Sequence, residues 1–243
     1  MRIIKLDATE STNTFLKELT KNGNIGDYTV IWAKNQTNGR GQMDRYWQTE
    51  PGKNLTFSVL KKMKGFQLTR HFELNMAVSL AVFRALADMK IPRLTVKWPN
   101  DIMSGSHKIC GILIENSIAG TSLNSAIIGI GLNVNQTDFP GNPKATSLYN
   151  QTGLIYDLET LLQGLLQNLK DNLSMLDAAQ SKALFEDYQS NLFRRNVAST
   201  FRTGVGPTFT GIIKGIGKDG KLRVQLENGS LAEYDIKEIT LLY

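Results

Sequence analysis

The sequence predicts an α+β fold, in which a mostly antiparallel sheet is flanked by helices and followed by a small β-barrel. Three observations lead to this fold class. Apolar runs of strand length recur through the N-terminal and central parts, amphipathic helical patterns lie between and after them, and hairpin signals fill the C-terminal part. With 243 residues, 41% of them hydrophobic, the chain is long enough for one large and one small domain.

The N-terminal elements are predicted to be a strand, a helix and two more strands. The strand "MRIIKLD" precedes "STNTFLKELTKNG", a helix that Ser11 or Thr12 caps and that Asn22-Gly23 ends. The β-rich runs "YTVIWA" and "NLTFSVL" then lie on either side of a loop rich in glycine.

The central part alternates one long helix with strands. Apolar residues recur at helical spacing between residues 71 and 90. Three apolar runs, "LTVKW", "KICGILIE" and "SAIIGIGLNV", predict further strands of an antiparallel sheet with its helices on one side. In "GIG", Gly129 and Gly131 indicate either a bulge or a close contact between sheet and helix. Leucines after Asp157 and the run "SKALFEDYQSNLF" predict two later helices.

The pattern changes after Arg195. Short strand-like runs are joined there by Asp-Gly and Asn-Gly, which are strong hairpin signals. We therefore expect a main domain over residues 1–195 and a small β-barrel over residues 196–243, packed against it.

Composition excludes several classes of protein. No apolar run approaches the ~18 residues of a membrane span, and the N-terminus lacks the apolar core of a signal peptide, so we expect a cytoplasmic protein. One cysteine, Cys110, and two histidines are too few for a disulfide or a zinc centre. The net charge of +6 suits an anionic ligand or an acidic protein partner. The sequence lacks the arginine-rich stripe that is typical of nucleic-acid-binding proteins, so we expect no specific nucleic-acid partner.

Four short stretches carry the candidate functional residues: "STN" from Ser11, "NQTNGRGQMDRYW" from Asn35, "KWPND" from Lys97 and "KICGILIE" from Lys108. Taken singly, each has a structural explanation as a helix start, a surface turn, a proline turn or a solvated strand end. Glycines flanking an arginine nevertheless let backbone N–H groups approach a ligand while the guanidinium binds a carboxylate or phosphate.

The combination resembles the biotin–protein ligase family over nearly the whole chain. The motifs "STN", "QTNGRGQMDRYW", "KWPND", "HKICGILIE", "GIGLNVN" and "ATSL" occur in that family's order. The resemblance implies a class II synthetase-like catalytic domain with an SH3-like barrel. It also implies a biotin–[acetyl-CoA-carboxylase] ligase that makes biotinyl-5′-AMP from biotin and ATP. Such enzymes then transfer biotin to one lysine of a biotin carboxyl carrier protein or a biotin-dependent carboxylase domain.

The resemblance also assigns the site residues. The implied catalytic set combines three cations and one carboxylate: Arg40, Lys97, Lys108 and Asp101. The implied biotin-binding residues are Ser11, Thr12, Asn13, Gln36, Arg40, Gly41, Gln42, Lys108, Gly111 and Leu113. The implied ATP- or adenylate-binding residues are Gly39, Arg40, Asn100, Asp101, Gly131 and Asn133. Mg²⁺ is expected to arrive with ATP, without a dedicated cage of protein ligands.

The residue types suit this chemistry. A carboxylate and a triphosphate repel each other, so bringing them together requires fixed positive charge and Mg²⁺. The acceptor lysine supplies the nucleophile, and Cys110 is therefore expected to be a small buried residue. Gln42 departs from the family, because some members carry a second arginine there, and the following "MDR" lacks a glycine that is often present.

Three other functions compete with biotin ligation as explanations of these motifs. A repressor of this family would carry an N-terminal helix-turn-helix domain, whereas the first predicted strand begins at Arg2, so we expect a monofunctional ligase. A lipoate or octanoate ligase has a related fold, but "KWPND" and the final barrel favour biotin. A non-catalytic biotin-binding protein would not need Arg40, Lys97 and Lys108, because biotin has one carboxylate. The exposed edges of the predicted sheet would allow two copies of the chain to pair as a homodimer.

Overall fold

The computed structural model describes residues 1–42, 45–176 and 180–243, which form two sheets and five α-helices. The larger sheet contains β1 (Arg2–Thr9), β2 (Thr29–Gln36), β3 (Leu55–Gln67), β4 (Leu94–Lys97), β5 (Asp101–Ser104), β6 (His107–Ala119) and β7 (Ser122–Leu132). The smaller contains β8 (Ala198–Thr203), β9 (Thr208–Ile216), β10 (Leu222–Leu226), β11 (Leu231–Tyr234) and β12 (Ile239–Leu242). The helices are α1 (Thr12–Asn22), α2 (His71–Asp88), α3 (Leu148–Thr152), α4 (Leu158–Ser174) and α5 (Ser181–Ser190).

The larger sheet has the strand order β1-β2-β3-β7-β6-β5-β4. Its first two strands are parallel and every later pair of neighbours is antiparallel, which confirms the predicted mostly antiparallel sheet. Parallel neighbours need a crossover connection, and α1 supplies it. The crossover brings the start of α1 next to the end of β2, where Thr9 lies opposite Gln36.

Helices cover both faces of this sheet, so the expectation that they share one side is wrong for α1. Side chains alternate along a strand. In β2, Val30 and Trp32 join the core beneath α2, whereas Ile31 packs with Leu16 of α1. Because β2 is buried on both faces, its sequence is a continuous apolar run without the polar alternation of a half-exposed strand.

Helix α2 is the central helix of the main core. It lies between the sheet and the later helices, in contact with β4 and β5 on one side and with α4 and α5 on the other. A helix in this position is buried on most of its surface, which accounts for its nearly all-round apolar sequence. No helix in the three described ranges is both long enough and apolar enough to cross a membrane.

The C-terminal strands form an antiparallel sheet with the order β11-β10-β9-β8-β12. The two predicted hairpin turns are present, and Gly220 and Gly229 take positive φ values of 87° and 82° in them, as glycine in such turns does. Among the described residues the edge strands β11 and β12 are not paired with each other, so the sheet stays open instead of closing into the expected barrel.

The two sheets meet at the turn between β4 and β5. There the indole Nε1 of Trp98 donates a hydrogen bond to the backbone oxygen of Gly220, at 2.9 Å. Gly220 also packs so tightly against Phe72 that a Cβ atom on it would lie 2.2 Å from the ring. The rings of Phe193 and Tyr243 are in edge contact, with their centroids 5.2 Å apart.

Replacing Trp98 should therefore loosen the second sheet. Trp98→Phe keeps an aromatic ring but leaves the Gly220 carbonyl without its donor, at a cost of about 1–3 kcal/mol in unfolding free energy. The matched control is Trp32→Phe, because the Trp32 Nε1 is buried with no partner among the described residues. Urea unfolding should show a larger loss for Trp98→Phe; equal losses would mean that this hydrogen bond does not stabilise the junction.

Candidate functional site

A cavity of about 330 Å³ lies where the start of α1, strands β6 and β7, the β4–β5 turn and the second sheet meet. Its floor includes three glycines, Gly111 on β6 and Gly129 and Gly131 on β7. Gly111 lies directly opposite Gly131 in the strand register, and Leu113 lies opposite Gly129. At these four positions Leu113 is the one residue with a side chain, so other groups rest directly against the backbone of the three glycines.

Asn13 and Trp47 lie against these glycines. A Cβ atom on Gly129 would lie 2.3 Å from the Oδ1 of Asn13, and one on Gly131 would lie 2.3 Å from Cε2 of Trp47. Neither distance is compatible with a real side chain, so the two glycines are required for these contacts. Of the two interpretations of "GIG", the close approach of a helix residue to the sheet is confirmed at Gly129.

The α1 end of the cavity is a polar network. The backbone N and the Oγ1 of Thr12 donate to Oε1 of Gln36, at 2.8 Å and 3.1 Å. The fully buried hydroxyl of Ser58 lies 2.7 Å from Thr12 Oγ1 and 2.6 Å from Asn13 Oδ1. Ser11 caps α1 and accepts from the backbone N of Thr14, as the sequence predicted.

The opposite end of the cavity is charged. Lys97 and Asp101 are paired across the β4–β5 hairpin, and β6 adds Lys108 from the next strand. The Nζ of Lys108 lies 2.6 Å from Oδ1 of Asp101, and the Nζ of Lys97 lies 4.0 Å from Oδ2. The hydroxyl of the buried Tyr188 donates to the backbone oxygen of Pro99 at 2.6 Å, which fixes the turn that carries these groups.

Burial lowers the pKa of Lys97 below the ordinary lysine value. Asp101 opposes this shift, whereas the positive charges of Lys108 and Arg45 add to it. Lys97, Lys108 and Arg45 against the one carboxylate of Asp101 leave an excess of positive charge at this end, which suits an anionic ligand. The buried ammonium of Lys97 also costs stability when charged, and this cost is relieved as the pH rises through its lowered pKa.

The loop between β2 and β3 forms another wall. Within its described part, the backbone N of Trp47 donates to Gly39 O at 2.8 Å, and the backbone N of Gly41 donates to Arg45 O at 2.6 Å. Arg40 does not join the Lys97–Asp101–Lys108 group through any described ion pair. Its Nη2 lies 3.0 and 3.1 Å from the two carboxylate oxygens of Glu115.

Most of the sequence-predicted site residues line this cavity. They are Ser11, Thr12, Asn13, Gln36, Arg40, Gly41, Gln42, Lys97, Asp101, Lys108, Gly111, Leu113 and Gly131. Gly39, Asn100 and Asn133 are buried behind the wall and are not among the described lining residues. Their positions explain this: the Nδ2 of Asn100 donates to Ile112 O, and the Nδ2 of Asn133 donates to Thr146 O, so both amides support the backbone.

Several lining residues were not assigned to the site from the sequence. Trp47 ends the quoted glycine motif, and its Nε1 is buried without a hydrogen-bond partner among the described residues. Lys144 and Tyr243 come from distant parts of the chain, with the Lys144 Nζ 4.3 Å from the centre of the Tyr243 ring. Cys110 is fully buried, as predicted, and burial raises the pKa of its thiol.

A cage of protein ligands for a metal was not expected. No group of three or more His, Cys, Asp or Glu in the described ranges could hold a metal ion. Asp101 does offer a carboxylate within the cavity, and Mg²⁺ is usually bound through one or two carboxylates together with substrate phosphates. The described residues therefore fit a magnesium ion that is carried in by a triphosphate.

Comparison with known proteins agrees with the geometry of this cavity. The model of the biotin/lipoate A/B protein ligase family matches residues 6–133. The bifunctional ligase/repressor BirA of Bacillus subtilis (strain 168) is 31% identical over 235 residues, which are 93% of this chain and 70% of that protein. The biotin–[acetyl-CoA-carboxylase] ligase of Paracoccus denitrificans is 30% identical over 224 residues, 89% of this chain and 91% of its own.

Solved structures agree as well. A biotin protein ligase from Aquifex aeolicus, in complex with biotin and ATP, superposes with a TM-score of 0.82 at 30% sequence identity. The match covers 99% of this chain and 98% of that one. Since the family match includes the α1 start, the glycine loop and the Lys97–Lys108 region, the chain belongs to the biotin/lipoate A/B protein ligase family.

Proposed function

We propose that this chain is an ATP-dependent biotin–protein ligase. The observation that carries the proposal is a single cavity with a hydrogen-bonding end at α1 and a cationic end at Lys97 and Lys108. Biotin has the matching shape: a ureido ring with donors and acceptors, an apolar tail and one carboxylate. The similarity to proteins named as biotin ligases favours biotin over lipoate within the family.

The α1 end would hold the ureido ring. Thr12, Asn13 and Gln36 place amide and hydroxyl groups around one small volume, where both donors and acceptors are available. Trp47, whose ring lies against Gly111 and Gly131, gives together with Leu113 an apolar wall for the tail. A mostly apolar pocket with a few placed polar groups is typical of small-molecule sites.

The charged end would bring the carboxylate of biotin to the α-phosphate of ATP. A carboxylate oxygen attacks the α-phosphorus and pyrophosphate leaves, which gives biotinyl-5′-AMP. The acceptor lysine amine then attacks the acyl carbon, AMP leaves, and an amide bond remains. Lys97 and Lys108 would stabilise the charge that develops on the phosphate. Asp101 would help to hold the Mg²⁺ that enters with ATP, which would supply further positive charge to the phosphates.

Residues 196–243 would act as a second unit that completes the site. Ile236, Thr240, Leu241 and Tyr243 of this segment line the same cavity as the α1 residues. The natural acceptor would be a biotin carboxyl carrier protein or a biotin-dependent carboxylase domain, as for the ligase from Paracoccus denitrificans, whose name includes acetyl-CoA carboxylase. No nucleic acid is required by this reaction, and the exposed strand β1 leaves room for a homodimer.

The choice of acid substrate is tested by pyrophosphate exchange into ATP. Acyl-adenylate formation is reversible, so labelled pyrophosphate enters ATP only when the correct acid is present. We expect exchange with biotin and none above background with lipoate or octanoate. Exchange that is faster with lipoate than with biotin would contradict the proposed substrate while leaving the adenylating chemistry in place.

The lowered pKa of Lys97 predicts an early alkaline loss of adenylate formation. As the pH rises, Lys97 loses its proton below the ordinary lysine pKa, so positive charge at the phosphate end falls. Lys97→Arg keeps this charge throughout the alkaline range, because arginine is not deprotonated in proteins. The exchange rate, scaled to each enzyme's maximum, should decline at a higher pH in Lys97→Arg than in the parent. Identical alkaline limbs would mean that another group limits the rate.

A further inference from the structure

Glu115 contacts two parts of the cavity wall, the start of α1 and the glycine loop between β2 and β3. It lies on β6 opposite Ile127 of β7, and its side chain is three-quarters buried, with 25% of its surface exposed. One carboxylate accepts from two donors: Nη2 of Arg40 contacts both oxygens at 3.0 and 3.1 Å, and Nδ2 of Asn13 lies 2.7 Å from Oε2. These donors belong to the glycine loop and to the start of α1.

The Asn13 side of this arrangement is fixed. Asn13 is 3% exposed, its Oδ1 contacts the buried Ser58 hydroxyl, and Gly129 beneath it leaves no free space. Glu115 is therefore oriented from a rigid element before Arg40 binds to it. An exposed ion pair of two free side chains is worth little, but a carboxylate already held by a second donor loses less entropy on pairing.

We propose that Glu115 is a positioning residue that couples these two parts of the cavity wall, holding the glycine loop in place through Arg40 and aligning it with Asn13. A ligand that binds Asn13 is thereby linked, through Glu115 and Arg40, to the described part of the loop between β2 and β3. The use of biotinyl-5′-AMP as the test ligand rests on the proposed function, whereas the contact between Arg40 and Glu115 does not.

An alternative role for Glu115 predicts the opposite change in ligand affinity. If Glu115 were only a resting partner that Arg40 leaves when a ligand carboxylate or phosphate arrives, removing its charge would free Arg40 and tighten ligand binding. If Glu115 keeps its contact in the loaded enzyme, removing its charge weakens binding instead. The sign of the change in affinity therefore distinguishes the two.

The first measurement uses the ligand-free protein. Amide hydrogen exchange at Gly41 and Trp47 reports the loop, because both amides are hydrogen-bonded within it. Glu115→Gln keeps the size of the side chain but removes its charge, and we expect exchange there to become about five- to tenfold faster. The control is Glu233→Gln, which removes a comparable Arg–Glu pair, with Arg223 at 2.7 Å, from the second sheet. Unchanged loop exchange in Glu115→Gln would overturn the proposal.

The second measurement is the dissociation rate of preformed biotinyl-5′-AMP in a double-mutant cycle. Glu115→Gln and Arg40→Met should each accelerate release by roughly tenfold, and the double variant should be scarcely faster than either single one. Additive effects, or slower release from Glu115→Gln, would refute the coupling. If the parent binds no adenylate although loop exchange responds as expected, the coupling stands and the ligase function fails. Equal unfolding midpoints of the variants would show that the changes are local.

Discussion

Lys108→Ala is expected to lower the rate of biotinyl-adenylate formation by about 10²–10³-fold, the usual cost of removing one group that stabilises developing charge. The ammonium of Lys108 is 2.6 Å from Asp101 and 5.5 Å from the centre of the Trp47 ring, inside the cavity. Its loss leaves Asp101 with only the more distant Lys97, at 4.0 Å, as a counter-charge. The positive charge nearest to Asp101 is then lost, and the repulsion between the two substrates is less well offset.

The fold should survive this substitution. The side chain of Lys108 is 31% exposed and opens towards the cavity, so its removal creates no void in the core. Lys182→Ala is the matched control, because it removes an exposed lysine that pairs with Glu186 on α5, outside the cavity. Pyrophosphate release under saturating biotin and Mg-ATP measures the effect. A rate within a few-fold of the parent would show that Lys108 does not act on the transferred phosphate.

Gly129→Ala should have the second large effect, on biotin binding. The added Cβ would lie 2.3 Å from Oδ1 of Asn13, so Asn13 must move and its contacts with Ser58 and Glu115 are lost. Losing one or two hydrogen bonds to the ureido ring, with buried groups left unpaired, should weaken biotin binding by about 10²-fold. Calorimetric titration with biotin measures this directly.

The control for this change is Gly164→Ala. Gly164 lies within α4 with nothing near the position of an added Cβ, so the variant should bind biotin normally. It should also be more stable by roughly 0.5–1 kcal/mol, because alanine favours a helix over glycine. If Gly129→Ala binds biotin as the parent does while remaining folded, Asn13 does not contact the ureido ring.

The arrangement of strands was predictable from the sequence to the extent that local patterns specify it. The hairpins of the second sheet follow from Asp219-Gly220 and Asn228-Gly229, because the turn type demands glycine there. The placement of α1 on the opposite face was not predictable. The run "TVIWA", apolar at both alternating positions, indicates that both faces of β2 are covered. Which helix covers each face depends on the parallel pairing of β1 with β2, which this local pattern does not encode.

The site was predictable where its residues are contiguous in sequence and unpredictable where sheet register assembles it. Arg40, Lys97 and Lys108 stand in motifs, and the structure places all three along one cavity. Asn100 and Asn133 belong to motifs too, yet their side chains face backbone oxygens, because residue type does not reveal orientation. Ser58 lies in the predicted strand "NLTFSVL" and Glu115 ends the motif "KICGILIE", but neither was assigned to the site from the sequence. Only pairing across β3, β7 and β6 brings them to Asn13.

One measurement tests the proposed reaction most directly. The protein is incubated with biotin, Mg-ATP and a biotin carboxyl carrier domain, and the intact mass of the carrier is then recorded. We predict an increase by one biotinyl group on a single lysine, dependent on ATP and strongly reduced with Lys108→Ala. An unmodified carrier, in a reaction where the same preparation exchanges pyrophosphate with biotin, would contradict transfer to a carrier lysine. An equal increase with Lys108→Ala would contradict the placement of the chemistry at the Lys108–Asp101 end of the cavity.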